Sequence, residues 1–340
     1  MASTSLTGAQ ILAFTNEIVG FKSGLALSRE QMLGLLPAGS NSVRLLQVPE
    51  ATFVRLRIEE LEALTTELLY ELGVTDTPEY GSPLLLVPYS HDPERAPIAA
   101  EVVQMWTAHV WQEIDAIKAG RAERTVDPTP FVNDALQRFG RLGAEIALET
   151  VRRIIDYEKR SPWTEMRVVE WKDVQQLDEL FESENLSTHH GKYFDQRFIN
   201  YLDKRFDDVT KMHWRKFEGL AAEFLERAGF SIEIGPGRND DGVDIRAWTR
   251  SASIEMPPTL LVQCKREKKT VEKVVVKALW ADVHNEGADS GLIVTSTSLS
   301  PGAKSVCQSR GYPIYAADRD TLKRWIHAMR TPGSGLFLGE

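Results

Sequence analysis

Two classes of structure are written into this chain: a mainly α-helical N-terminal region, then an α/β domain with a mixed sheet flanked by helices. Three observations predict this. Apolar residues recur at helical spacing through the chain as far as Arg160, and from Trp214 onward helical stretches alternate with short apolar runs of strand type. Charge divides at nearly the same place. Of 40 basic and 49 acidic residues, 21 and 19 lie from Tyr201 onward, leaving 19 and 30 before it. The net charge of −9 thus belongs to the N-terminal part. Expected boundaries are 1–160 for the helical domain, 161–212 for a helical connector, 213–332 for the α/β domain and 333–340 for a tail.

In the helical region, Leu61, Leu64, Leu68 and Leu72 line one face of a helix over Arg57 to Gly73, and Gly73 suits its stop. Glu101 to Lys118 is a second helix, with Trp106, Val110 and Ile114 on a common face. Phe131 to Tyr157 is a longer third, marked by Phe139, Leu142 and Ile146, and Pro162 ends it. Segments 75–97 and 125–130 are rich in turn formers. The connector is rich in aromatic and charged residues.

The α/β domain opens with a helix whose apolar face is Phe217, Leu220, Ala221, Phe224 and Leu225, closed by Gly229. Ser231 to Ile234 reads as a strand, and Gly235 to Asp240 as a turn-rich loop. Val243 to Trp248 alternates, and Thr259 to Cys264 is an apolar strand. Thr270 to Glu286 is helical, with Val274, Ala278 and Leu279 expected inward. Leu292 to Thr295 is a buried strand, and Ser300 with Pro301 starts a helix that ends near Gly311. Pro313 to Ala316 is the last strand, and Asp318 caps a final helix through Arg330. The order is α-β-β-β-α-β-α-β-α.

Composition narrows the class. At 42% hydrophobic and 26% charged, the chain is globular in character, and no apolar run is long enough to span a bilayer. Two cysteines, Cys264 and Cys307, give neither a disulfide framework nor a zinc-ligand spacing, which fits a reducing cytoplasm. One stretch is strongly basic: Lys265, Arg266, Lys268, Lys269, Lys273 and Lys277. A nucleic acid responds to such a local patch more than to total charge, although a run of this kind is more often a solvated helix face.

The chemistry-bearing residues are Asp244 and the triplet Gln263-Cys264-Lys265. Strand alternation puts Gln263 and Lys265 on one face and aims Cys264 the other way, into the core. Cleaving a phosphodiester requires oxygen ligands for a hard cation and positive charge at the phosphate. Asp244 supplies a carboxylate, Gln263 an amide oxygen, Cys264 a backbone carbonyl, and Lys265 an ammonium to polarise water or steady the phosphate. Glu218, on the first helix, is placed to bind the cation directly or through water. Each residue alone is weak; their order along the chain carries the signal. Cys264 and Cys307 read as packing residues, and His189 and His190 as exposed side chains in a polar turn. Trp106, Trp111, Trp163, Trp171 and Trp214 can stack on bases but more often pack in cores or interfaces.

This set resembles the Mrr-like branch of the PD-(D/E)xK restriction endonucleases. The matching stretches are Phe217-Glu218, Asp240-Asp241-Gly242-Val243-Asp244-Ile245, Leu261 to Arg266, and Leu292 to Ser296 with the helix opened by Ser300. The branch carries Gln where other members have Glu, as here; only Gly242 stands where the family often has two glycines. The resemblance covers about a third of the chain. It implies a restriction-endonuclease-like fold and a Mg²⁺-dependent endodeoxyribonuclease, with Mn²⁺ as substitute, for which Asp244, Gln263 and Lys265 are catalytic and Glu218 accessory. The expected partners are DNA, with Lys268, Lys269, Lys273 and Lys277 on its phosphates, and a second copy of the chain. The expected role is restriction or anti-phage defence. A repair or recombination nuclease, an RNase, or a binding protein that kept the fold without catalysis are the alternatives.

Overall fold

The computed structural model describes residues 3–79, 81–120, 126–163, 169, 171–237 and 242–330. They fall into two compact units, and the division is discontinuous in the chain. One unit takes the described residues up to Asp76 and again from Trp171; the other takes those between. The expected helical segment 1–160 is therefore shared between both.

In the first unit, β1 (Ser3–Thr7) leads into α1 (Gly8–Ser23), followed by β2 (Leu25–Ala26), α2 (Arg29–Leu35), α3 (Asn41–Leu46), β3 (Phe53–Arg57) and α4 (Ile58–Glu71). Strands β1 and β3 pair antiparallel, an addition to the helices read from the sequence. Thr7 and Ser28 form capping boxes that fix the starts of α1 and α2. The leucines read as the face of α4, Leu61, Leu64, Leu68 and Leu72, are all buried.

In the other unit, α5 (Arg95–Lys118) and α6 (Thr129–Arg160) make a helical hairpin. Its core gathers Tyr89, Ala99, Val102, Phe131, Ala135, Ile146, Ala147 and Val151, with Trp106 meeting Phe131 edge-on at 5.2 Å. The apolar face of α6 thus packs on α5. Gly140 breaks α6 with φ 64° and ψ −154°, a conformation open to glycine and costly for other residues.

The chain returns to the first unit with β4 (Gln175–Gln176), parallel to β2, then α7 (Glu179–Glu182) and α8 (Gln196–Lys204). Arg197 of α8 is fully buried. Its guanidinium binds both Asp195 carboxylate oxygens, Asp173 and the Gly24 carbonyl, and lies 5.4 Å from the Trp171 ring. Burying such a charge is tolerable only with this full set of partners, and the set sews the segment that ends at Asp76 to the later chain.

The α/β part runs α9 (Trp214–Arg227), β5 (Phe230–Ile234), β6 (Ile245–Thr249), β7 (Leu260–Lys265), α10 (Lys273–Glu286), β8 (Ser290–Thr295), α11 (Pro301–Arg310), β9 (Ile314–Ala317) and α12 (Arg319–Arg330), the order read from the sequence. The five strands form one mixed sheet in sequence order, antiparallel from β5 to β7 and parallel from β7 to β9. One face carries α9 and α12, where Phe224 stacks on Trp325 at 3.9 Å. That core, with Ile245, Val262 and Val294 from the sheet, is continuous with Ile11, Val19, Leu64 and Leu68 from α1 and α4. On the other face, Leu261 and Ile293 meet Val276, Leu279 and Val283 of α10. This corrects the expected inward face of α10: Leu279 is buried, but Val274 and Ala278 are exposed. The run Val274-Val275-Val276 offers more than one apolar stripe, and packing on the sheet selects the one through Val276. Among the described residues no helix is long and apolar enough to cross a membrane.

Candidate active site

The site begins where two strands part. β6 and β7 pair from Ala247↔Leu260 to Ile245↔Val262, and the Asp244 N–H still donates to the Val262 carbonyl at 2.9 Å. The next β7 donor on that side, the Cys264 N–H, finds no backbone acceptor on β6. It donates to Asp244 Oδ2 at 2.5 Å. The Asp244 carbonyl accepts from Gly235 N at 2.8 Å, so backbone bonds on both sides hold this residue in place. The carboxylate, 8% exposed, is aimed along β7 as a consequence of the sheet opening. In an extended strand the N–H and C=O of one residue point the same way, so the Cys264 carbonyl is directed into the same opening.

Gln263 follows from β7 on the α10 side of the sheet. It is 6% exposed, and its Oε1 is buried with no hydrogen-bond partner among the described residues. Leaving such an oxygen unpaired costs about 1–3 kcal/mol, so it is an acceptor in want of a positive partner. Gly242, at φ 90°, passes over this amide: a β-carbon there would lie 3.2 Å from Gln263 Nε2. Asp240 and Asp241, part of the matching sequence stretch, lie outside the described residues.

Lys265 shares the face of Gln263 by alternation. Its carbonyl accepts from Thr295 Oγ1 at 2.9 Å, which pins the end of β7 to β8. Cys264 faces the core, as the alternation requires. Burial pushes its thiol well above the usual range; Asp244 and Glu218 push it further and Lys265 opposes them. The thiol is thus kept protonated, and it senses Asp244, Glu218 and Lys265 at once. Glu218 comes from α9, the Cys264 side of the sheet, and is 6% exposed. Asp244, at the parting of the strands, lies between the two faces.

These groups suit a hard cation. Among the described residues no group of three or more His, Cys, Asp or Glu side chains is arranged to hold a metal. The oxygens on offer are a carboxylate, an orphaned amide oxygen and a backbone carbonyl, with the Glu218 carboxylate acting on the same thiol, Cys264, as Asp244; oxygen donors of this kind are those a hard cation takes.

The lysines follow directly from β7. Lys268, Lys269, Lys273 and Lys277 are all exposed. The loop that holds Lys268 and Lys269 is fixed by Ser296 Oγ, which bonds the backbone of Glu267, and by Thr297 Oγ1, which donates to the Lys269 carbonyl at 3.0 Å, while Lys273 and Lys277 stand on α10. Lys268 borders an open groove of about 440 Å³ at the carboxyl ends of the parallel strands, with Ser296, Thr297, Ser298 and Arg319. His189 is exposed, and His190 is tied into the connector, accepting from Lys172 N and meeting Trp171 edge-on at 4.8 Å. Trp171 donates to the Lys22 carbonyl, Trp106 packs in the hairpin core, and Trp111 and Trp163 are exposed. Sequence reasoning passed over Arg215, whose Nη1 lies 2.6 Å from Glu218 Oε2. The available signal was a helix whose first turn holds Arg215 and Lys216 and no acid.

Residues 209–326 match the model of a family described as restriction endonuclease. No curated protein matches the chain. Among solved structures, the chain is similar to the MspJI restriction endonuclease in complex with a 27-mer oligonucleotide, at 17% identity and a TM-score of 0.28. The match covers 60% of this chain and 42% of that one, so the chain spans less than half the length of that protein.

Proposed function

We propose, from the premise that residues 209–326 are a restriction-endonuclease domain of the Mrr type, that this protein is a divalent-cation-dependent endonuclease that hydrolyses DNA phosphodiester bonds, in restriction or anti-phage defence. The observation that carries the reading is the buried Gln263 Oε1, unpartnered among the described residues, one position before the Cys264 N–H that holds Asp244 and on the strand that ends in Lys265. Asp244, Gln263 Oε1 and the Cys264 carbonyl would hold the cation, with Glu218 accessory. A bound Mg²⁺ supplies Lewis acidity and a lowered pKa for water. The Lys265 ammonium orients the attacking water and offsets charge gathering on the phosphate. Asp244 needs no reorientation, because the Cys264 N–H already sets its carboxylate. Lys268, Lys269, Lys273 and Lys277, all exposed, would take backbone phosphates.

Each site of this kind cuts one strand, so a double-strand break calls for two, and a two-fold dimer is the commonest way to supply them. Light scattering on the full chain at micromolar concentration, with and without DNA, tests this; a monomer in both conditions rejects it. The activity itself is tested by incubating the purified chain with plasmid, linear, methylated and single-stranded DNA and with RNA, in Mg²⁺ and in chelator. Cleavage of DNA that chelator abolishes is the expected result. Cleavage undiminished by chelator, or of RNA alone, overturns the reading.

A further inference from the structure

Arg215 stands where helix electrostatics disfavours it. The first turn of α9 exposes the positive end of the helix dipole, where acidic side chains are favoured, yet it holds Arg215 and Lys216. Lys216 is accounted for: it is buried, and its Nζ donates to the Asn185 carbonyl. Arg215 instead turns its guanidinium to Glu218, with Nη1 2.6 Å from Oε2 and side-chain exposures of 17% and 8%. The same nitrogen is hemmed in from the other side. A β-carbon on Gly237 would lie 3.0 Å from Arg215 Nη1 and 3.0 Å from the Trp214 ring. The guanidinium is thus held between the buried Glu218 carboxylate and Gly237, just after β5.

We propose that Arg215 is a positioning residue that stands in for the cation at Glu218. It neutralises and orients the carboxylate in the metal-free protein, and it competes with a divalent cation for it. This rests on the metal-dependent reading above. A buried carboxylate is costly without a counter-charge, and the Arg215 guanidinium 2.6 Å away supplies one. When a divalent cation draws on Glu218, the guanidinium loses its partner and becomes available to an anion, and the anion at hand in a nuclease is a DNA phosphate.

The test is Mn²⁺ binding without DNA, measured by titration calorimetry on the full chain, with circular dichroism to verify folding. Charge-assisted hydrogen bonds of this kind are worth roughly a tenfold change in an equilibrium. Arg215→Met is therefore expected to bind Mn²⁺ about tenfold tighter than wild type, Arg215→Lys to stay near wild type, and the gain to vanish in a Glu218→Gln background. Gly237→Ala, which displaces the guanidinium without removing it, should shift affinity the same way by less. It decides the matter if Arg215→Met does not fold. Unchanged or weaker binding in the folded variants, or a gain that survives Glu218→Gln, overturns the proposal. Binding that is lost in Asp244→Ala but indifferent to Arg215 and Gly237 overturns this proposal and leaves the cation site standing. No Mn²⁺ binding by any protein overturns both.

Discussion

The body formed by the chain up to Asp76 and from Trp171, and the helical hairpin between, are built to different standards. The body has a core that runs from Ile11 and Leu64 through the sheet to Ile326 without a seam. Its exposed large apolar side chains, Phe53, Val174, Ile254, Met256, Val274 and Tyr315 among them, are spread over a far longer stretch of chain than the hairpin's. The hairpin has a short core and leaves Leu84, Leu86, Val87, Trp111, Leu136 and Leu148 exposed. The contrast teaches that the segment ending at Asp76 is part of the catalytic body's architecture, whereas the hairpin is an insertion into it. A search for regulation or assembly belongs with the hairpin.

The bluntest way to break the comparison is deletion. Removing the chain up to Asp76 takes Ile11, Val19, Leu64 and Leu68 out of the core shared with α8 and α9, and with them the Gly24 and Gly73 carbonyls that bind Arg197 and Arg330, and should abolish the soluble folded protein. Replacing 77–170 by a short flexible linker should leave a cooperative thermal transition. Gel filtration and calorimetry read both, and a folded 77–340 fragment would refute the shared core. Next in size, Asp244→Ala and Lys265→Ala should each lower DNA cleavage by about 10²–10³-fold, as loss of one preorganised electrostatic group does, with unchanged far-ultraviolet dichroism. Full activity in either would dismiss the site.

Within the body, Leu64→Ala should cost about 2–5 kcal/mol in urea unfolding, while Leu148→Ala on the hairpin, half exposed, should stay within about 0.5 kcal/mol. Equal losses would erase the distinction between the two units. The smallest effect sharpens the picture without touching the fold. Changing Lys268, Lys269, Lys273 and Lys277 together to Gln should flatten the log–log salt dependence of DNA binding, measured in Ca²⁺, by about 0.9 for each phosphate no longer neutralised. An unchanged slope would return these lysines to the solvated surface.

The elements from α9 to α12 were legible because their helices and strands have distinct apolar periods and strong boundary signals, a stop at Gly229 and starts at Ser300 with Pro301 and at Asp318. The segment before Asp76 was legible as helical but not as a partner of the sheet. The leucines of α4 announce a buried face; nothing in their spacing says what buries it. On α10, three consecutive valines left the inward stripe open, and only the sheet chose Val276 over Val274. Asp244, Gln263 and Lys265 could be named from order and alternation. The bond from Cys264 N–H to Asp244 could not, because it depends on where two strands part. Arg215 was readable in principle as a cation at the wrong end of a helix.

The insertion has a consequence for how this protein is made. The segment up to Asp76 leaves the ribosome with the apolar faces of α1 and α4 already formed, while the residues that complete their core, Leu177, Leu180, Phe198, Ile199 and Leu202 among them, are not yet synthesised. At about 5–20 residues per second, the stretch between Asp76 and Trp171 alone imposes a wait of roughly 5–20 seconds, during which those faces are a target for chaperones or for misassembly. The catalytic strands come later still. The candidate site therefore cannot form until the hairpin and the strands that carry Asp244, Gln263 and Lys265 have all been synthesised.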